Sequence, residues 1–421
     1  MKLPTRRGRP ALRAAGLICL CLIGRGGHAE PTPLRLGAGV AYDSDDNVFR
    51  APAGEEVSDR YTTLSVFGGL DETMSRQRVL GKLRASRVLF QERHDLDYTG
   101  GDGVARWTGE TEGPISWDLS YVGHRGLTSY ALVSNAQQRV PNVETNQQVA
   151  AGVQLGLQSQ WVAGLDLSHR RVDETAAPFA ADELRLDSAG ANVLWNPLGP
   201  LSVSVGPRFS HGRYPQAVDL GGGVLQAEEF DRRDLDVGIK WVPDGASTLN
   251  ARLSLTQQTF DVSGDRDFRG ATGLISWTWQ ATEKTKLQAV LTRDTGSETS
   301  FFMSDVLGSS QRGTSDSSQY TSIAAARVDY EATAKVSFGL IGSFAKRNLT
   351  TSSQLDSGAT VAGESGIERS GRVALAVRYA PTRNALIGCD VGYERRSTDS
   401  ALSSPYRATT GGCAAQFAID L

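Results

Sequence analysis

The chain has 421 residues, of which 39% are hydrophobic and 22% charged, and its formal net charge is −3. Taking the six basic residues of the leader (below) from the 44 Lys+Arg leaves 38 against 47 Asp+Glu, a net of −9, which argues against a nucleic-acid partner. No segment after the leader is apolar for the length that a membrane-spanning helix needs, so the residue pattern has to decide the class.

The first element in chain order reads as an export signal. Lys2, Arg6, Arg7, Arg9 and Arg13 form a basic start, with Arg25 the sixth basic residue, and Ala14 to Ile23 is a short apolar run. Gly27-His28-Ala29 supplies small residues for cleavage. Residues 1–29 are therefore expected to be a signal peptide and 30–421 one mature domain. Cys19 and Cys21 fall in this leader, without a lipobox around them.

From there on the sequence reads as strands. Val149, Ala151, Val153, Leu155 and Leu157 alternate with Gln148, Ala150, Gly152, Gln154 and Gly156, and Leu235, Val237, Ile239 and Trp241 alternate with Asp234, Asp236, Gly238 and Lys240. Period two puts each set on its own face, one suited to lipid and the other to water. Strands are expected at 34–42, 60–70, 77–90, 96–109, 114–125, 145–158, 161–171, 184–195 and 200–213. They continue at 229–242, 247–261, 267–281, 285–295, 319–332, 334–348, 366–380, 384–396 and 406–421. Short breaks such as Glu112-Gly113-Pro114 and Pro243-Asp244-Gly245 alternate with longer polar stretches at 43–58, 126–143, 172–183, 214–228, 297–318, 349–365 and 398–405. The expected fold is all-β, a transmembrane antiparallel β-barrel of about eighteen strands (sixteen being the next even count) with both termini in the periplasm. Its expected location is the outer membrane of a Gram-negative bacterium.

Aromatic and basic residues sort along this pattern. All seven tryptophans (107, 117, 161, 195, 241, 277 and 279) stand next to short breaks. Phe90, Tyr121, Phe209, Phe230, Phe260, Phe268, Tyr320, Phe344 and Tyr393 stand toward the long loops, which reads as a second girdle. Arg125, Arg170, Arg171, Arg213, Arg232, Arg233, Arg269, Arg347, Arg395 and Arg396 lie just below the long loops. They are expected to form a rim that binds the phosphates of lipopolysaccharide, since guanidinium matches phosphate bidentately. Parity selects Lys82, Arg84, Asp118, Asp166, Arg208, Asp234, Asp236, Lys240, Arg252, Arg327, Asp329, Arg372, Arg378, Asp390 and Glu394 as pore-lining candidates, a set with few aromatics.

Catalytic signals are weak. Of His94, His124, His169 and His211, only His124 has inward parity, and none lies in a triad-like sequence context. No HExxH, P-loop, metal-spaced cysteine pair or dinucleotide fingerprint occurs, so no metal and no cofactor are expected. Cys389 and Cys413 lie on the last two strands at spacings that make them cross-strand neighbours. Either a disulfide or two lipid-facing thiols fits.

One segment goes beyond class. Leu34 to Arg50, with its Asp46-Asn47-Val48-Phe49-Arg50 loop, resembles the opening of EpsL-type outer-membrane barrels. Phe90 to Gly100, with Leu96-Asp97-Tyr98 leading to Trp107, is similar to the next recurrent feature of that family. The resemblance covers about the first hundred mature residues and implies a role in exopolysaccharide biosynthesis or export, as conduit or accessory, with polysaccharide and secretion-system components as partners. The alternative is a diffusion porin for small solutes, and a barrel enzyme acting on lipid or peptide stands third. Leu421 departs from the aromatic C-terminal residue usual in such barrels. Asp43, Asp45, Asp46 and Asn47 offer hard oxygen ligands without the glycine and glutamate of an EF-hand; turn chemistry explains them more simply than calcium.

Overall fold

The computed structural model describes residues 34–130, 140–156, 159–197, 199–219, 225–262, 264–295, 318–350, 353–354, 360–361, 365–399 and 403–421. The expected signal peptide lies outside the described residues, as does nearly all of the expected loop 297–318.

Eighteen antiparallel strands make one sheet. They are β1 (Leu34–Asp45), β2 (Asp59–Met74), β3 (Gln77–Phe90), β4 (Tyr98–Glu110), β5 (Ile115–Leu127) and β6 (Val143–Leu155). Next come β7 (Trp161–Asp173), β8 (Leu184–Trp195), β9 (Leu201–Asp219), β10 (Leu225–Trp241), β11 (Ser247–Phe260) and β12 (Phe268–Thr282). The last are β13 (Thr285–Asp294), β14 (Ser318–Glu331), β15 (Val336–Thr350), β16 (Ser365–Tyr379), β17 (Ala385–Thr398) and β18 (Tyr406–Asp420). Each pairs with the next, and β1 pairs with β18 from Arg35↔Asp420 to Asp45↔Thr410, so the sheet closes on itself. Among the described residues there is no α-helix, and three 3-10 turns sit at His94–Leu96, Ala177–Asp182 and Gly264–Arg266.

Directly opposed residues of an antiparallel ladder share a face, so the register carries one assignment round the whole wall. The outer set includes Val66, Leu83, Leu165 and Leu255, each 61–67% exposed. A soluble core would cover such residues, whereas a barrel presents them to hydrocarbon. All seven tryptophans are on this outer face, beside the short turns. Trp117 packs edge-on against Trp107, with ring centroids 5.8 Å apart. It fits only because its cross-strand partner is Gly109, where a Cβ would come 2.3 Å from the ring. At the short turns the side chains do the folding: the Asp244 carboxylate accepts from the amides of Ala246 and Ser247, beside Gly245 at φ 71°.

Two expectations change. The stretch 214–228 is not a simple loop, because β9 and β10 run on to Asp219 and from Leu225, with a bulge between Gln226 and Glu228. Pro215 in the sequence masks this extension. The second girdle is also only partly outward. Tyr121, Phe209, Phe344 and Tyr393 face out and are exposed, while Phe90, Phe230 and Phe260 share the inner face and pack inside the barrel mouth. Cys389 and Cys413 stand directly opposite each other on β17 and β18, with Cα atoms 4.0 Å apart, and are joined as a disulfide on the outer face.

Candidate functional site

The inner wall is where the charges gather. All fifteen sequence candidates, from Lys82 to Glu394, have inward register. Eleven of them fall into two groups by their surroundings.

The first group is locked in ion pairs. Asp234 accepts from Arg232 at 2.9 Å and faces Arg208 at 3.1 Å, and Arg208 also reaches Asp236 at 2.9 Å. Arg232 goes on to Asp294 on β13 at 2.9 Å. Arg106 meets Asp118, and Arg327 meets Asp329 on its own strand. Asp166 accepts from Asn192. Arg106, Asp118, Asp166, Arg208 and Asp294 line a cavity of about 1140 Å³ whose lining runs from β4 to β9 on one side and from β11 to β13 on the other.

The second group lies on an arc of wall that runs from β16 through β17, β18, β1 and β2 to β3. Lys82, Arg84, Arg372 and Arg378 make no salt bridge among the described residues; Arg84 instead lies 5.6 Å over the Phe67 ring.

Four residues expected on the lipid-facing rim point the other way. Arg170, Arg232, Arg347 and Arg396 are inward and buried, at 1–4% exposure. The reason is parity: in Arg170-Arg171, Arg232-Arg233 and Arg395-Arg396, adjacent residues take opposite faces, so each doublet sends one arginine inside. Arg347 bonds Glu368 at 2.7 Å, and Arg396 lies 3.4 Å from the same carboxylate. Arg125, Arg171, Arg213, Arg233, Arg269 and Arg395 do face out. Register adds two arrangements that the sequence hides. Arg171, Arg185 and Arg213 form one row across β7, β8 and β9, and Arg395 stands directly opposite Arg407.

At the long-loop end, loops fold into the mouth. Asn47 is fully buried; its amide donates to the carbonyls of Ala51 (2.8 Å) and Arg407 (3.0 Å) and accepts from the amide of Ala51. Arg50, with φ at +53°, bonds Asp45 at 2.7 Å and Glu394 at 3.4 Å, and Glu394 also accepts from Tyr406. Phe49 packs edge-on against Tyr130 at 5.1 Å, in a cluster with Val88, Phe90 and Leu96. The Asp45-to-Arg50 segment thus works as a latch holding the first loop against β17 and β18. The oxygen-rich cluster is turn chemistry: Asp45 accepts from the Asn47 amide and Asp46 from the Thr409 amide, and no metal-holding group occurs among the described residues. A second cluster (Val172, Leu184, Leu186, Tyr214, Phe230) fills the mouth beside β7 to β10, where Gly212 leaves room for the Phe230 ring. The expectation of few inward aromatics fails here, because these rings belong to the mouth rather than to the middle of the wall.

The histidines occupy separate places. His124 is inward with Nδ1 2.6 Å from Asp102, while His169 and His211 face outward and pair with Asp187 (2.7 Å) and Asp231 (3.0 Å). His94 lies in the loop after β3.

No family model and no curated protein matches the chain. Among solved structures, the outer membrane protein OpdK from Pseudomonas aeruginosa aligns over 92% of this chain and 99% of its own, at 12% identity and a TM-score of 0.46. OpdR from the same organism aligns over 92% and 96%, at 12% identity and a TM-score of 0.41. The ferric citrate transporter FecA in its unliganded form aligns over 93% and 79%, at 8% identity and a TM-score of 0.42.

Two predictions follow from the mouth. Arg50→Ala leaves the buried carboxylates of Asp45 and Glu394 without their cation, a loss on the order of 3 kcal/mol. The urea unfolding midpoint of the detergent-solubilised barrel should fall; an unchanged midpoint would remove the latch. In the loop after β7, Glu174 accepts from Asn142 at 2.7 Å, and burial lifts its carboxyl from 4.5 to about 7. The folded state therefore holds this proton where the unfolded chain has released it, so stability declines as pH rises from about 4.5 through 7. Melting curves at pH 5 and pH 8 should differ less in Glu174→Gln than in the parent chain, and equal differences would contradict the assignment.

Proposed function

We propose that this barrel is an outer-membrane channel through which small hydrophilic solutes diffuse. The observation carrying this reading is the inner wall, whose charged and polar side chains surround a cavity of about 1140 Å³ inside a closed apolar shell. Water and solutes lower the energy of such a wall; hydrocarbon does not. The loops packed in the mouth favour small solutes over bulky ones.

A second reading is export of an exopolysaccharide, as conduit or accessory. It is favoured by Asp46-Asn47-Val48-Phe49-Arg50, the segment that resembles EpsL-type barrels and that here forms the mouth latch. A polymer would pass only with that latch displaced.

The outer face has its own partner chemistry. Like charges placed directly opposite repel, and the Arg395–Arg407 pair and the Arg171–Arg185–Arg213 row are of this kind. Arg171 and Arg213 have acidic neighbours in Asp173 and Glu229, whereas Arg395 and Arg407 make no salt bridge among the described residues. A phosphate of lipopolysaccharide lying between them would relieve the repulsion.

Reconstituted into planar bilayers, the protein should give stepwise conductance, and a silent bilayer containing verified folded protein would reject the channel reading. A strain lacking the gene that still exports normal polymer would reject the export reading. Lipid A should raise the melting temperature of the parent barrel more than that of Arg395→Gln/Arg407→Gln; equal shifts would discard the phosphate contact.

A further inference from the structure

The lumen holds two further cavities, one of about 610 Å³ and one of about 260 Å³. The larger is lined by Lys82 and Arg84 of β3, by Arg383 of the short turn between β16 and β17, and by Arg35 of β1. The smaller is lined by Arg372 and Arg378 of β16, with Arg327 of β14. Gln416 and Leu386 belong to both linings, so the two cavities are neighbours along the wall.

Charge balance sets this region apart from the central cavity. Among the described residues Asp102 and Asp390 are the only carboxylates lining either space, and Asp102, which stands opposite Arg84, is engaged by His124 at 2.6 Å. Arg35 pairs with Asp420 and Arg327 with Asp329, each at the edge of the arc. Lys82, Arg84, Arg372, Arg378 and Arg383 make no salt bridge among the described residues. Arg84 is held in place by its contact with the Phe67 ring, and that ring lies over Gly37, where a Cβ would come 2.4 Å from it. In the lining of the central cavity, by contrast, Arg106 meets Asp118 and Arg208 meets Asp236.

We propose that this arc is a binding track for small organic anions carrying a carboxylate, sugar acids among them. Mutually repelling cations along a lumen lower their energy when an anion sits between them, and rings of Arg and Lys make a pore favour anions. The planar guanidinium groups of Arg84, Arg378 and Arg383 suit a carboxylate in particular. Neutral sugars of the same size can accept hydrogen bonds from these groups but gain no charge attraction. The track names the solute class of the proposed channel and so rests on that reading for its role in passage, while binding itself is measured separately.

The experiment uses the full barrel. In bilayers under a KCl gradient, the parent protein should show a reversal potential of the sign given by chloride permeation, and glucuronate should block the current where glucose does not. Lys82→Gln/Arg84→Gln/Arg378→Gln should lower the anion preference by about threefold or more; if that variant does not fold, Lys82→Gln alone should shift the reversal potential the same way. Equilibrium dialysis of labelled glucuronate against detergent-solubilised protein gives the second readout, with binding expected in the parent and reduced in the variant. A cation-selective parent, or glucuronate binding no better than glucose, overturns the track even in a conducting channel. A silent bilayer with variant-sensitive glucuronate binding removes the channel reading and leaves the track standing.

Discussion

Everything in this molecule depends on satisfying backbone N–H and C=O groups without water. In hydrocarbon an unpaired peptide group costs several kcal/mol, so a β structure survives there only if it has no edge. The β1–β18 ladder meets that requirement down to the last residue, where the Leu421 amide donates to the Leu34 carbonyl at 2.8 Å. Phe417, Ile419 and Leu421 stay exposed on the outer face there, so alternation persists to the C-terminus although the final residue is not aromatic. Once the sheet is closed, period two leaves each side chain a choice of two solvents. Along the middle of the wall apolar residues face lipid and most charges face the lumen, while outward arginines gather near the long loops.

The lumen then has two tasks with opposite demands. Near the long loops, inward charges are buried by folded segments, so each requires a partner. Glu368 takes Arg347, Arg396 and the Ser403 hydroxyl, and Glu394 takes Arg50 and Tyr406. Such networks add little net stability over an apolar packing, but they fix geometry, since removing one member strands the rest. They hold the first loop in a single position against β17 and β18. Lower in the barrel the side chains line open space, and pairing is no longer compulsory.

The faces of the strands were legible in the sequence because alternation encodes them directly. Val149 to Leu155 and Leu235 to Trp241 read correctly, as did the outward tryptophans. The same rule, counted one residue further, separates Arg170 from Arg171 and Arg232 from Arg233; treating each doublet as a unit put buried arginines on the rim. Phe230 shares parity with Arg232 and Asp234, so its inward position was also within reach. Other features were not. Register between strands is absent from any local pattern, which hid the Arg171–Arg185–Arg213 row and the Arg395–Arg407 pair. The inward fold of the first loop depends on Asn47 reaching the carbonyl of Arg407, 360 residues away, and no local signal carries that contact.

The contrast between paired and unpaired cations also bears on why the arc persists. Arg208 and Arg232 show that this chain places an aspartate two residues or one strand away when a lumenal arginine needs neutralising. At the arc the same device is only partly used: Asp102 stands opposite Arg84 and Glu394 opposite Arg372, but Asp102 is engaged by His124 and Glu394 by Arg50, while Gly69 lies beside Lys82 and Gly388 beside Arg378. A single carboxylate at Gly69 or Gly388 would have neutralised the local field. The glycines beside Lys82 and Arg378 keep the volume open, and neither cation meets a carboxylate in a salt bridge among the described residues. A cation set beside glycine rather than beside a carboxylate forgoes local neutralisation, and its physical effect is to hold a positive potential in the path through the lumen.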